Sequence, residues 1–125
     1  MANYSKGAAY ERELMEILGL NGFAVARIAG SGKAKVEEPD LIAGNKKLIM
    51  AIECKYSGSK YKTVHMEQIN DLFNFAKCFG AKAILAFRFS HTPWKFMEIK
   101  ENVTSNISVK KTDELIELKK LLEQE

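Results

Sequence analysis

Two carboxylates and a lysine recur in this chain at a spacing that can do chemistry. Pro39-Asp40 is followed, thirteen positions after the aspartate, by Glu53-Cys54-Lys55, a P-D-x12-E-x-K pattern. Two acids and one amine are the smallest set able to hold a divalent cation and cleave a phosphodiester with its help. Either half alone is commonly structural, since P-D is a turn dipeptide and E-x-K is ordinary in an amphipathic strand. Their position gives the pair its force. Residues 48–52 (Leu-Ile-Met-Ala-Ile) form a continuous apolar run, as a strand covered on both faces requires. Glu53 and Lys55 extend that run. Side chains alternate along a strand, so these two share one face and Cys54 takes the other. Charge at the end of a buried strand is costly unless it is partnered or bound to an ion. Asp40 opens the preceding strand of a hairpin. Antiparallel partners lie about 5 Å apart, so the carboxylates can converge on one ion.

The elements that must position this set follow one another along the chain. Residues 6–20 read as a helix with Ser5 as N-cap, an apolar face of Ala8, Tyr10, Leu14, Ile17 and Leu18, and a stop at Gly19 or Gly22. Residues 23–28 read as a strand, and 30–35 (Gly-Ser-Gly-Lys-Ala-Lys) as a flexible basic loop. The strand opened by Asp40 turns at Gly44-Asn45 into the strand of Glu53 and Lys55, and residues 56–63 form a second basic loop. A second helix spans residues 64–79 and stops at Gly80. Strands at 82–89 and 94–99 flank a turn at His91-Thr92-Pro93. A final helix starts at Thr112, with Asp113 and Glu114 in its first turn and Lys119-Lys120 near its end. The order α-β-β-β-α-β-β-α predicts an α/β (α+β) fold with a central mixed five-stranded sheet flanked by helices. The second helix carries two apolar stripes, Met66/Ile69/Phe73/Ala76 and Leu72/Phe75/Phe79. Together they are wider than one core contact requires, which predicts that Leu72, Phe75 and Phe79 cover a self-association surface.

At 125 residues, without internal repeats or a linker, the chain reads as a single domain over 1–125, the segment 112–125 having no assigned role. Apolar content of 46% and charged content of 28% are those of ordinary globular proteins. No apolar run approaches the ~20 residues that span a bilayer, and the N-terminal residues do not resemble a signal peptide. Cys54 and Cys78 make neither a disulfide framework nor a metal knuckle and read as small core residues in a reducing, cytoplasmic setting. The net charge of +3 is uneven: residues 1–62 hold ten Lys/Arg against seven Asp/Glu, while the remainder balances. Assigning Glu11, Asp40 and Glu53 to a site leaves that half more basic still, which suits a phosphate partner. Taken alone, Glu11 is a solvated helix charge, Ser31 a loop residue, Phe75 and Phe79 core, and His65 and His91 structural.

The P-D-x12-E-x-K set resembles the PD-(D/E)XK nuclease superfamily, with its restriction-endonuclease-like core. Within it, Lys6-Gly7-Ala8-Ala9-Tyr10-Glu11-Arg12-Glu13-Leu14, Phe23–Ser31, Phe75-Ala76-x-x-Phe79-Gly80 and Trp94-Lys95-Phe96 resemble the archaeal Holliday junction resolvases. The segment 33–38 is longer and more acidic than that family's loop. The resemblance implies an Mg²⁺-dependent endonuclease, with Mn²⁺ as a substitute, that nicks four-way DNA junctions in pairs and leaves 5′-phosphate and 3′-hydroxyl ends. Asp40 and Glu53 would be metal ligands with the backbone carbonyl of Cys54, Glu11 a further carboxylate, Lys55 the catalytic lysine, and Ser31 a loop residue reaching the scissile region. Arg12 would contact phosphate, joined by Lys6, Arg27, Lys33, Lys35, Lys60 and Lys62. A homodimer formed through Phe75 and Phe79 would bring two sites to two strands. Accessory recombination or replication partners are not legible. Two other readings are a different nuclease of the superfamily, repair-nicking or restriction-like, and a non-catalytic DNA-binding module.

Overall fold

The computed structural model describes residues 6–28 and 38–123, with Lys6 described by its backbone alone. Helix α1 (Lys6–Leu20) buries Ala8, Leu14 and Leu18, with Tyr10 and Ile17 packed alongside, the i, i+4 recurrence that puts one face against a sheet. Strands β1 (Ala24–Arg27), β2 (Leu41–Gly44) and β3 (Ile49–Ser57) form an antiparallel meander. The β2–β3 turn is closed by Asn45, whose Oδ1 accepts the amides of Lys47 and Leu48 at 2.8 Å each.

From β3 the chain runs through β4 (Tyr61–Val64) and α2 (Met66–Phe79) to β5 (Lys82–Phe89), which lies parallel to β3. Strand β6 (Lys95–Ile99) returns antiparallel to β5, and β7 (Ile107–Lys110) pairs with β4. The two-residue β8 (Ile116–Glu117) covers part of β6 before α3 (Leu118–Leu122). One six-stranded sheet results, in the order β1-β2-β3-β5-β6-β8, beside a separate β4–β7 ribbon. Helix α2 ends at Gly80, whose φ of 86° lets its amide bond the Ala76 carbonyl at 2.9 Å.

The sheet is packed on both faces. Met50 and Ile52 of β3, with Leu41, Ala43, Ile84, Ala86 and Phe96, meet Leu14 and Leu18 of α1 and Leu121 of α3. Ala51, Ala83, Leu85, Phe87 and Phe89 meet Ile69, Leu72 and Ala76 of α2 and Val64 and Val109 of the ribbon. Strand β3 is thus buried on both sides, as its apolar run demands.

The structure corrects several expectations. The sheet has six strands rather than five, and a strand stands within the predicted loop 56–63. Only Val64 of β4 is fully buried, and its partner β7 lies more than forty residues away, so local alternation gave little signal. No helix starts at Thr112. The Asp113 carboxylate accepts the Lys110 amide at 2.7 Å, and Lys95 Nζ donates to the carbonyls of Lys111 (2.7 Å) and Asp113 (3.1 Å), which makes this segment a turn. The helix begins only at Leu118. Helix α2 starts at Met66, since Val64 belongs to β4. Leu72, expected at a self-association surface, is buried in the core beneath α2. Cys78, expected in the core, is exposed on α2. Ser5 lies outside the described residues.

Candidate active site

The alternation of β3 settles which way its charges point. Met50, Ile52 and Cys54 face α1, so Glu53 and Lys55 share the other face with Ala51, toward α2. Both side chains are mostly buried, with 18% of Glu53 and 15% of Lys55 exposed, and Glu53 Oε2 lies 3.4 Å from Lys55 Nζ. The amine also donates to Gln68 Oε1 at 3.0 Å. Gln68 sits on the first turns of α2, which are pinned to the segment before β7 by Asn106 and by the helix's own Asn70. The Met66 amide donates to Asn106 Oδ1 (2.8 Å), and Asn70 exchanges hydrogen bonds with the Val103 backbone (2.7 and 3.1 Å). A lysine with four rotatable bonds is thereby held in one place.

Asp40 stands where β2 leaves the ladder. Its amide donates to the Ile52 carbonyl at 3.0 Å, its carbonyl accepts from Ile28 at 2.9 Å, and its side-chain Oδ2 accepts the Cys54 amide at 2.8 Å. The carboxylate serves as one more rung of the sheet. Burial raises its pKa above the ordinary carboxylate range, and Glu11 adds to the rise, while the Cys54 amide, Lys55 and Arg27 act against it. Burial also drives the Cys54 thiol far above its usual pKa, and the charges of Asp40, Glu11 and Glu53 push it further. The charges of three acids, from α1, the start of β2 and β3, thus all bear on the Cys54 thiol.

Among the described residues, no three metal-ligating side chains lie close enough to form a ready cage. Glu11 pairs with Arg27 at 2.7 Å, Glu53 with Lys55, and Asp40 with an amide. The donor chemistry fits Mg²⁺, since the set offers hard carboxylate oxygens without an imidazole or an available thiolate. An acid already destabilised by burial and by a second carboxylate gains from a nearby cation.

Of the residues expected at phosphate, Arg12 lies exposed on α1, Arg27 shares its charge with Glu11, Lys60 is exposed and Lys62 half-buried. Ser31, Lys33, Lys35 and the Lys6 side chain lie outside the described residues. Phe79 is 51% exposed and stacks on half-buried Phe75, with ring centroids 5.7 Å apart. Two contacts escaped sequence reasoning. Gln68 could have been noticed as an amide next to the buried Ile69. Glu13 accepts from Trp94 Nε1 (2.6 Å) and Arg88 Nε (3.0 Å). At ~100° per residue it points about 200° from Glu11, so the two acids of one short motif serve different sites.

A mixed sheet carrying an aspartate at the start of one strand, and a glutamate and lysine on one face of the next, defines a nuclease of restriction-endonuclease-like fold. A family model for the archaeal Holliday junction resolvases (hjc) matches residues 2–125, and the chain belongs to that family. It is 36% identical over 95 residues to the crossover junction endodeoxyribonuclease Hjc of Archaeoglobus fulgidus, an alignment covering 76% of this chain and 70% of the relative. It is 41% identical over 87 residues to the Methanocaldococcus jannaschii Hjc, covering 70% and 62%. The solved structure of Archaeoglobus fulgidus Hjc superposes with a TM-score of 0.75 at 30% identity, covering 84% of this chain and 88% of that one.

Proposed function

We propose that this chain is an intracellular crossover junction endonuclease that hydrolyses phosphodiesters at the branch of four-way DNA, with Mg²⁺, or Mn²⁺ in its place, as cofactor. Asp40 and Glu53 would hold the ion, with the Cys54 carbonyl and Glu11 beside them; when bound, the ion supplies charge to the phosphoryl oxygens and acidity to water. Lys55 does the remaining work at the reacting phosphate. Held between Glu53 and Gln68, its ammonium is positioned to orient the attacking water and to offset charge on the pentavalent transition state. That amine, anchored on the face of β3 that also carries Glu53, carries the reading. The leaving 3′ oxygen takes a proton from solvent, giving 5′-phosphate and 3′-hydroxyl ends. Ser31 would approach the scissile phosphate, and Lys6, Arg12, Lys33 and Lys35 would add phosphate contacts.

A homodimer would let two such sites cut symmetric strands. The stacked Phe75–Phe79 pair is an apolar surface that pairing across a two-fold axis would cover. Incubating a labelled four-way junction with Mg²⁺ and the wild-type or Lys55→Ala chain tests this function. Paired nicks near the branch are expected from the first, and cleavage lower by about 10² or more from the second. Cleavage of linear duplex at the same rate would favour a restriction-like or repair nuclease instead.

A further inference from the structure

The β4–β7 ribbon presents a surface of which the family resemblance singles out only Lys60 and Lys62, leaving Tyr61 and all of β7 without a role. Its inner face packs Val64, Ile107 and Val109 against the sheet face that carries Glu53 and Lys55. Its outer face pairs Tyr61 with Lys110 and Thr63 with Ser108, whose hydroxyls lie 2.7 Å apart. Tyr61 is 61% exposed, where a tyrosine of a ribbon usually finds cover. Exposed Lys60 precedes it, and Lys111 follows Lys110 across the ladder, its amide bonded to the Lys60 carbonyl at 2.7 Å. Asp113, a nearby acid, is turned onto the Lys110 amide.

The ribbon is fastened to the active-site strand. Ser57, the last residue of β3, donates its hydroxyl to the Tyr61 carbonyl at 2.9 Å, closing the connection. Tyr61 lies six positions after Lys55, a span of at most ~20 Å. Along that length duplex DNA carries on the order of ten phosphate charges. Lysines and hydroxyls suit phosphates, whereas an exposed ring gains most from an unstacked base or sugar face, which a branch point offers and a regular duplex does not.

We propose that the outer face of the β4–β7 ribbon is a DNA contact in which Lys60 and Lys110 bind an arm's phosphates while Tyr61 packs against the branch point. This rests on the reading of the site as junction-cleaving, so the test separates the two. Affinities of the wild-type chain and of Tyr61→Ala, Tyr61→Phe and the double variant Lys60→Ala/Lys110→Ala would be measured over a salt series, without divalent metal. The DNAs are a four-way junction and a linear duplex of the same arm sequence. Expected is a loss of about tenfold for Tyr61→Ala on the junction, under twofold on duplex, with Tyr61→Phe restored. The double lysine variant should lower the log–log salt slope by roughly 0.9 per lysine on both DNAs. A wild-type junction affinity for Tyr61→Ala, an equal loss on both DNAs, or an unchanged slope for the lysine variant would overturn the proposal. A wild-type chain with no preference for the junction would instead overturn the functional reading, and the slope on duplex would still report the lysines.

Discussion

Asp40 carries two duties that two substitutions can separate. Its carboxylate accepts the Cys54 amide at 2.8 Å, and it is a buried acid whose pKa is raised by burial and by Glu11. Asparagine keeps an oxygen for the amide but removes the charge; alanine removes both. Each should lower cleavage by a factor on the order of 10² or more, about 2.7 kcal/mol of transition-state stabilisation. Their stabilities should diverge. Alanine leaves a part-buried amide without its acceptor, at a cost of about 1–3 kcal/mol. For a chain of this length that lowers the melting temperature by about 4–12 °C. Asparagine should melt at or above the wild type at neutral pH. The sign follows from linkage: a folded-state pKa above the unfolded value means protonation favours folding. Stability from this group is full below the ordinary carboxylate range, near 3.9, and is lost as pH rises through the folded value. The asparagine variant has no such loss, so its advantage should shrink as pH falls. Mg²⁺ at a hundredfold excess over its dissociation constant should add roughly 2.7 kcal/mol to the wild type and far less to either variant. The assays are thermal melts from pH 3 to 8, with and without Mg²⁺, beside single-turnover cleavage. An asparagine variant as destabilised as alanine, or one that cleaves at the wild-type rate, would refute the reasoning.

Three further outcomes are expected. Glu13→Ala orphans the Trp94 indole N–H and one side of Arg88, so stability should fall by about 1–3 kcal/mol in urea melts, with a shift in the emission of the chain's single tryptophan. Unchanged emission and stability would mean this bridge is idle. Iodoacetamide at pH 8 should label one thiol, exposed Cys78, while Cys54 reacts only after unfolding, since burial first and neighbouring carboxylates second hold its thiol protonated. Fast labelling of both would contradict that burial. Phe79→Glu should lower the sedimenting mass toward that of one chain with the melting temperature little changed, because Phe79 is exposed within the protomer; a variant that stays associated would place the interface elsewhere.

What the sequence made legible was local, and what it hid was remote. The core of β3 could be placed as a two-face-buried strand because the apolar run 48–52 carries the signal, and extending that run put Glu53 and Lys55 on one face, although Tyr56 and Ser57, read as loop, also belong to the strand. Helix α1 and strand β5 were likewise readable over their whole lengths from periodicity and glycine stops. Gln68 was not, because its significance lies in a 3.0 Å contact made across thirteen residues. Arg27 read as free for phosphate, yet Glu11, sixteen residues earlier, occupies it. Strand β8 is two residues long, shorter than any alternation can announce, and polar Thr112 and Asp113 read as a helix start when they form a turn. Helix α2 shows the limit of stripe counting. Leu72 faces the sheet with Ile69 and Ala76, so the surplus apolar surface narrows to Phe79 and its stacked neighbour Phe75.

The central claim is that Lys55, Glu53 and Asp40 form one site that cleaves branched DNA. Its most direct measurement is single-turnover cleavage of a four-way junction and of its linear arm duplex, with Mg²⁺ titrated from zero, by the wild type and by Lys55→Ala. The account predicts cleavage by the wild type that requires the ion, produces symmetric nicks near the branch, and exceeds duplex cleavage by at least tenfold, while Lys55→Ala binds the junction and leaves it intact. Metal-independent cleavage, equal rates on the two DNAs, or a fully active Lys55→Ala variant would contradict it.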